Sequence, residues 1–133
     1  MTLREAHLIN RTQAAIQAVL HPGLLKPEYR ALNANNPMYG HCYAASEAFY
    51  YMCAGALGFA PMRAKDDAGV VHWWLESRMF PGRRLDPTSA QYVSVGKQPP
   101  YERGKFGGFL TSKPSKRAQE IIRLAQKKLE ESR

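Results

Sequence analysis

A turn runs directly into a helix within Met38-Tyr39-Gly40-His41-Cys42-Tyr43-Ala44-Ala45-Ser46-Glu47-Ala48, so that a cysteine stands where the helix begins. The helix is expected to run from Cys42 to about Ala54 and to be ended by Gly55 and Gly58. One stripe along it contains Cys42, Ser46, Phe49 and Cys53, which is typical of a helix packed against a sheet.

Three short strands are predicted to follow this helix, at Met62–Lys65, Val70–Ser77 and Arg83–Asp86. The connections between them, Asp66–Gly69 and Phe80–Gly82, are rich in the residues that tight turns prefer. Strands joined by such short turns predict an antiparallel meander.

Helices are predicted on both sides of this region. Thr2-Leu3-Arg4-Glu5 fits a capping box, and Pro22-Gly23 ends the first helix. The apolar face of the first helix comprises Leu8, Ile9, Ile16, Val19 and Leu20. The last helix, about Ser115–Glu130, has an apolar face of Ala118, Ile121, Ile122, Ala125 and Leu129.

The remaining segments are predicted to be connections. Residues 24–41 contain one short turn of helix near Pro27–Leu32, and residues 94–110 form a glycine-rich surface loop. The expected fold class is therefore α+β. Its compact core is a central helix that starts at the cysteine and packs on a small antiparallel sheet, with flanking N- and C-terminal helices.

Length and composition limit the possible classes of protein. The chain has 133 residues, 44% of them hydrophobic, which suits one domain over residues 1–133 with a single core. Cys42 and Cys53 are eleven residues apart on one helix, about 16 Å, which is too far for a disulfide. The sequence shows neither a signal peptide nor an apolar run of about 20 residues, so we expect no membrane contact and a reducing cytoplasm.

The charge is concentrated near the C-terminus. Of the formal net charge of +8, half lies in residues 111–133, where seven basic and three acidic residues give +4. The basic residues of this segment are Lys113, Lys116, Arg117, Arg123, Lys127, Lys128 and Arg133. Such a segment can bind nucleic acid or an acidic protein, or it can be the solvated face of a surface helix.

Three separate pieces of chain supply the groups of a thiol-based acyl-transfer site. Cys42 is the candidate nucleophile, because a helix N-terminus and a neighbouring imidazolium both lower the pKa of a cysteine. His72 is the candidate general base, on the inward strand face with Trp74 and Glu76, while Trp73 and Leu75 take the other face. Asp86 would orient the imidazole. Taken singly, each has an ordinary structural explanation: a core cysteine, a strand histidine and a turn aspartate.

The motifs around these residues resemble those of transglutaminase-like domains, in the papain-like cysteine superfamily. His72-Trp73-Trp74-Leu75-Glu76 and Asp86-Pro87-Thr88 are similar to the family's His-x-Trp-x-Glu and Asp-Pro-Thr signatures, and Gly40-His41-Cys42 to its Gly-x-Cys context. The resemblance covers residues 38–90, and a set of small phage-encoded proteins has similar stretches. It implies a papain-like core, the catalytic triad Cys42, His72 and Asp86, and, for a phage member, the host cytoplasm.

The resemblance carries over only in part. The interval from Cys42 to His72 is shorter than in typical transglutaminases, and no segment matches the calcium-binding loops of the animal enzymes, so no cofactor or metal is expected. Papain-like enzymes often place a Gln six residues before the cysteine, and Asn36 has that spacing here. Asn36 is thus a candidate oxyanion donor. The other candidates for the substrate rim are Tyr39, His41 and Trp74.

Three functions remain open on the sequence. The first is a cysteine-dependent amide or isopeptide hydrolase or acyl transferase that acts on a protein or peptide amide through a thioester. The second is a non-catalytic binding module that uses the basic C-terminal surface for nucleic acid or an acidic protein. The third is a metal site built from Cys42, His72 and Asp86, with His41 as a further ligand.

Overall fold

A computed structural model of the chain describes residues 1–34, 36, 38 and 40–132. Within these residues it has five α-helices and four strands, so the expected α+β class is confirmed. The helices are α1 (Leu3–Val19), α2 (Pro27–Asn33), α3 (Cys42–Phe49), α4 (Ala90–Val93) and α5 (Lys116–Glu131). The strands are β1 (Phe59–Lys65), β2 (Val71–Ser77), β3 (Arg84–Leu85) and β4 (Lys105–Phe106).

The four strands form one antiparallel sheet in the order β3-β2-β1-β4. The first three form the predicted meander, with β1 and β2 paired along their full length from Phe59↔Ser77 to Lys65↔Val71. The fourth strand, β4, lies within residues 94–110, which were predicted to form a surface loop, so that prediction was wrong in part. A two-residue strand has no alternation of its own, and β4 is defined only by pairing with Met62 and Arg63.

Helix α3 packs on one face of the sheet, as predicted. Ala44, Ala45 and Ala48 are buried against Leu75 of β2, and these small side chains let the helix backbone approach the strand closely. Ser46 Oγ donates a hydrogen bond to the Trp73 carbonyl oxygen at 3.3 Å. This contact fixes the position of the helix along β2, and so it fixes where Cys42 lies relative to His72.

The chain keeps a helical path beyond Phe49 but changes type. A π-helical turn, Tyr50–Ala54, is followed by a 3-10 turn, Gly55–Leu57, and Gly58 ends the segment with φ +87°. Gly58 ends the helical path as predicted, because only glycine adopts this left-handed conformation at little cost. Gly55 does not end it, and the prediction of one α-helix to about Ala54 was wrong, because the α-helix itself ends at Phe49.

The other face of the sheet carries a second, smaller core. Trp74 packs there with Met62, Ala64 and Tyr101, whereas Leu75 belongs to the core beneath α3. The predicted alternation along β2 is therefore confirmed. The segment that covers this face contains α4 and a 3-10 turn, Tyr101–Arg103, which the sequence did not reveal.

Helices α1 and α5 pack against each other and α3. The capping box of α1 is present, with the Thr2 N–H donating to Glu5 at 3.0 Å and the Glu5 N–H donating to Thr2 Oγ1 at 3.1 Å. Ile9 and Ile16 are buried as predicted, but Leu8 is 44% exposed, so its place on the apolar face was wrong. In α5, Ala118, Ile121 and Ala125 are buried, and Ile122 and Leu129 pack at the edge of the core.

A buried carboxylate joins α3 to the start of α5. Glu47 is fully buried, and its two oxygens accept hydrogen bonds from the backbone N–H of Ser115 at 3.1 Å and from Ser115 Oγ at 2.7 Å. Ser115 Oγ in turn accepts from the Ala118 N–H, which caps the helix. The first turn of α5 is thereby held beside α3.

Glu47→Ala should lower the free energy of unfolding by about 1–3 kcal/mol, because it leaves the two donors of Ser115 without a partner. Urea unfolding followed by circular dichroism measures this change. Glu130→Ala, at an exposed position of α5, is the control and should change stability by no more than about 0.5 kcal/mol. Equal effects of the two substitutions would contradict the proposed attachment of α5.

Candidate active site

His72 and Asp86 form a buried hydrogen bond, with His72 Nε2 2.7 Å from Asp86 Oδ2. The same carboxylate oxygen accepts the Tyr101 hydroxyl at 2.8 Å. Its other oxygen accepts the Thr88 N–H at 3.2 Å. Since the carboxylate accepts from Nε2, this ring nitrogen carries the hydrogen and Nδ1 is left to act as base or acid.

The surroundings of His72 favour its charged form. Burial by itself lowers the pKa of His72, but the hydrogen bond and charge of Asp86, together with the interaction with the Cys42 thiol, raise the pKa to about 9. An imidazolium at this position stabilises a negative charge on a nearby sulfur.

Cys42 is the first residue of α3 and is 8% exposed. Its Sγ lies 3.8 Å from the carbonyl oxygen of Val71, the residue that precedes His72. His72 Nδ1 is buried and has no hydrogen-bond partner among the described residues, while the Cys42 thiol is near enough to act on the pKa of this ring. The structure thus places the Cys42 thiol near the imidazole that Asp86 holds.

Two aromatic side chains fix the imidazole ring. Trp74 stacks on it with ring centroids 5.7 Å apart, and Tyr92 of α4 contacts it edge-on at 4.8 Å. Trp74 was expected to flank a substrate pocket, but it is fully buried behind His72. Its neighbour Trp73 is the tryptophan that lines the cavity beside Cys42.

A cavity of about 170 Å³ opens beside Cys42. We call it the thiol cavity. Its walls come from five elements that are distant in the chain: α2, the start of α3, the start of β2, α4 and α5. The residues that line it are Tyr29, Gly40, Cys42, Tyr43, Val70, Val71, Trp73, Gln91 and Arg117.

The residues expected at the substrate rim are placed differently. Asn36 donates through Nδ2 to the Gln91 carbonyl oxygen at 2.7 Å and lines a neighbouring cavity of about 430 Å³, where Asp66 and Tyr92 also lie. Gln91, and not Asn36, is among the described residues that line the thiol cavity. Tyr39 lies outside the described residues.

His41 precedes the helix but does not cap it. Its side chain makes no capping hydrogen bond and is 1% exposed, so it lies in the interior and not at a rim. Burial, and then the positive charges of Arg117 and His21, lower the pKa of His41 to about 4. His41 is therefore neutral at pH 7 and does not compete with His72 as the cation beside the thiol.

Sequence reasoning missed four residues that surround the thiol and the imidazole: Gln91, Tyr92, Tyr101 and Arg117. Tyr92 also donates to Asp66 Oδ2 at 2.8 Å, which anchors α4 to the turn between β1 and β2. A search for aromatic hydroxyls shortly after Asp86 would have proposed Tyr92 and Tyr101. No local pattern marks Arg117, which comes to the cavity only through the packing of α5.

Among the described residues, no three His, Cys, Asp or Glu side chains are grouped as a metal ion requires. Cys42 and Cys53 are both free thiols. None of the described helices combines the length and the apolar character that crossing a bilayer requires.

In comparisons with known proteins, no family model, no curated protein and no solved structure matches the chain.

Asp86→Asn should make stability less dependent on pH in the alkaline range. In the wild type, the raised pKa of His72 adds stability that is fully present below pH 6.5 and is lost as the pH rises through about 9. In the variant the neutral amide removes this gain, because burial then dominates and lowers the pKa of His72.

The difference in unfolding free energy between wild type and Asp86→Asn should therefore shrink by on the order of 2 kcal/mol between pH 6.5 and pH 9.5. Urea titrations at the two pH values measure it. Asp67→Asn, at an exposed carboxylate, is the control with no such trend. If the wild type and Asp86→Asn differed in unfolding free energy by the same amount at both pH values, Asp86 would not be the cause of the raised pKa of His72.

Proposed function

We propose that the protein is a cysteine-dependent amide or isopeptide hydrolase or acyl transferase. The observation that carries the proposal is the 2.7 Å hydrogen bond from His72 to Asp86, which leaves Nδ1 of a buried imidazole without a partner next to a cysteine at a helix start. Most buried polar atoms are hydrogen-bonded, and a general base needs one nitrogen available. His41 also has an unpaired ring nitrogen, but only His72 combines one with a carboxylate partner.

The proposed reaction proceeds through a thioester. His72 Nδ1 takes the proton of the Cys42 thiol, and the sulfur attacks the carbonyl carbon of an amide. The negative charge that develops on oxygen is stabilised by the backbone N–H of Cys42, since the first N–H groups of a helix have no partner within it. The imidazolium then gives its proton to the leaving nitrogen as the C–N bond breaks.

The second half of the cycle regenerates the enzyme. Water or a second amine loses a proton to His72 and attacks the thioester carbonyl, the C–S bond breaks, and the proton returns to sulfur. Asp86 stabilises the imidazolium in both halves of the cycle, with Tyr101 and Thr88 holding the carboxylate in place. Water gives a carboxylic acid and an amine gives a new amide.

The family relation is part of the same proposal. The motifs around the three residues support a transglutaminase-like member of the papain-like superfamily, of the kind also encoded by phages, with a protein or peptide amide as substrate. A reducing cytoplasm, that of the host for a phage protein, suits a reaction that requires Cys42 as a free thiol.

Alkylation by iodoacetamide at pH 7 tests the proposal. Cys42 and Cys53 are almost equally buried, at 8% and 7% exposure, so access alone predicts similar rates. Burial raises the pKa of Cys53. Cys42 should be labelled at least about tenfold faster, because the thiolate is the form that alkylates and the imidazolium of His72 stabilises a negative charge on a nearby sulfur.

Peptide mass spectrometry of the native protein after timed labelling gives both rates. His72→Gln should slow the labelling of Cys42 towards the rate of Cys53, while Cys53→Ala should leave Cys42 unchanged. Cys42 that labels no faster than Cys53 in the wild type would refute the activated nucleophile.

One observation favours a second candidate function, binding of a polyanion. Lys116, Lys127 and Lys128 of α5 are exposed and have no ion pair among the described residues, whereas Arg123 is paired with Glu120. Affinity for DNA that falls steeply with salt and is unaffected by Cys42→Ala would favour this candidate.

A further inference from the structure

Arg117 brings a positive charge to the cavity that contains the proposed nucleophile. It is the second residue of α5, is only partly exposed, and lines the thiol cavity together with Cys42, Tyr43 and Trp73. The attachment of α5 through Glu47 and Ser115 fixes the backbone two residues before it. Its position is therefore set by the core of the fold.

The guanidinium has no carboxylate partner among the described residues. Arg84, Arg103 and Arg123 each form an ion pair, with Glu76, Asp67 and Glu120 respectively. Arg117 forms none, and the residues that line the thiol cavity include no acid. A partly buried guanidinium without a partner has lost hydration that an anion would replace, so its five N–H donors suit a carboxylate.

A residue that lines the same cavity has a second polar atom without a partner. Gln91 is 93% buried, as its exposed fraction is 7%, and its Oε1 has no hydrogen-bond partner among the described residues. Gln91 lines the thiol cavity beside Cys42. A buried amide oxygen is costly to leave unpaired, and an N–H group of a bound substrate would satisfy it.

We propose that Arg117 binds a carboxylate of the substrate while the amide oxygen of Gln91 accepts a substrate N–H. The inference rests on the proposed amide chemistry at Cys42 and names its substrate class: amides that carry a carboxylate close to the scissile carbonyl, such as the C-terminal residue of a peptide. A volume of about 170 Å³ is small beside the roughly 300–1,000 Å³ of pockets for drug-sized ligands, and it suits one short group.

Two alkylating agents of nearly equal size test this recognition without knowledge of the substrate. Iodoacetate carries a carboxylate, and iodoacetamide is its neutral analogue. In both reactions the sulfur of Cys42 forms a bond to the CH₂ carbon and iodide leaves. The ratio of their rates at Cys42, divided by the same ratio for glutathione, cancels the reactivity of the thiol and reports recognition of the carboxylate.

This normalised ratio should exceed about ten in the wild type and should fall at least about tenfold in Arg117→Gln, since a charge-assisted pair is lost. Lys116→Gln removes the same charge from the adjacent, exposed position and should change the ratio less than about twofold. A ratio near one in the wild type, or equal losses in the two variants, would overturn the proposal.

A measurement on the wild type keeps the proposal testable if Arg117→Gln does not fold. Propionate should protect Cys42 from iodoacetamide at concentrations where propionamide does not, and equal protection by the two would overturn the proposal. If the proposed function is wrong, Cys42 reacts slowly with iodoacetamide itself. If only the recognition of a carboxylate is wrong, Cys42 still reacts rapidly with iodoacetamide but shows no preference for iodoacetate.

Discussion

The hydrogen bond between His72 Nε2 and Asp86 Oδ2, at 2.7 Å, sets the arrangement of the whole sheet face on which it lies. Both side chains are almost completely buried, with 0% and 4% exposure, and burial of a charged pair is costly unless its remaining hydrogen bonds are made. Tyr101 and Thr88 make them for the carboxylate. The segment after β3 must therefore fold over the sheet, and it brings Tyr92 against the imidazole as it does so.

The opposite face of the sheet sets the position of the thiol. The alanines of α3 allow close packing on Leu75, and the bond from Ser46 to the Trp73 carbonyl fixes the helix along β2. The cysteine then lies at the start of β2, next to Val71, while the side chain of His72 is on the other face with Trp74. The nucleophile thus belongs to the helix layer and the base to the sheet, and the two meet at the start of β2.

The elements of the fold that are specified by a short local sequence pattern could be predicted from the sequence. The capping box of Thr2, the helix that starts at Cys42 and the meander of β1 to β3 all have signals within a few residues. The order Cys42, His72, Asp86 was likewise sufficient to propose which side chains meet, although their catalytic role remains a prediction. Helix α4 and strand β4, with four and two residues, are stabilised by tertiary contacts and have no comparable signal.

The residues that surround the site could not be predicted as well, because they are distant in the chain and are brought together only by tertiary packing. Asn36 was chosen by spacing from Cys42, yet its amide is bound to the Gln91 carbonyl, and Gln91 itself lines the thiol cavity. His41 was expected at the substrate rim, but its neighbours bury it. Arg117 looked like one of several charges on a basic helix, and only the packing of α5 distinguishes it from Lys116.

The central claim is that the thiol, the imidazole and the carboxylate act as one coupled unit. The most direct test is the titration of the His72 ring by NMR in the wild type and in Cys42→Ser, since the thiol contributes to the raised pKa of His72. We predict a midpoint near pH 9 in the wild type and a clearly lower one in the variant. Identical titrations would show that Cys42 and His72 do not interact, and would contradict the account.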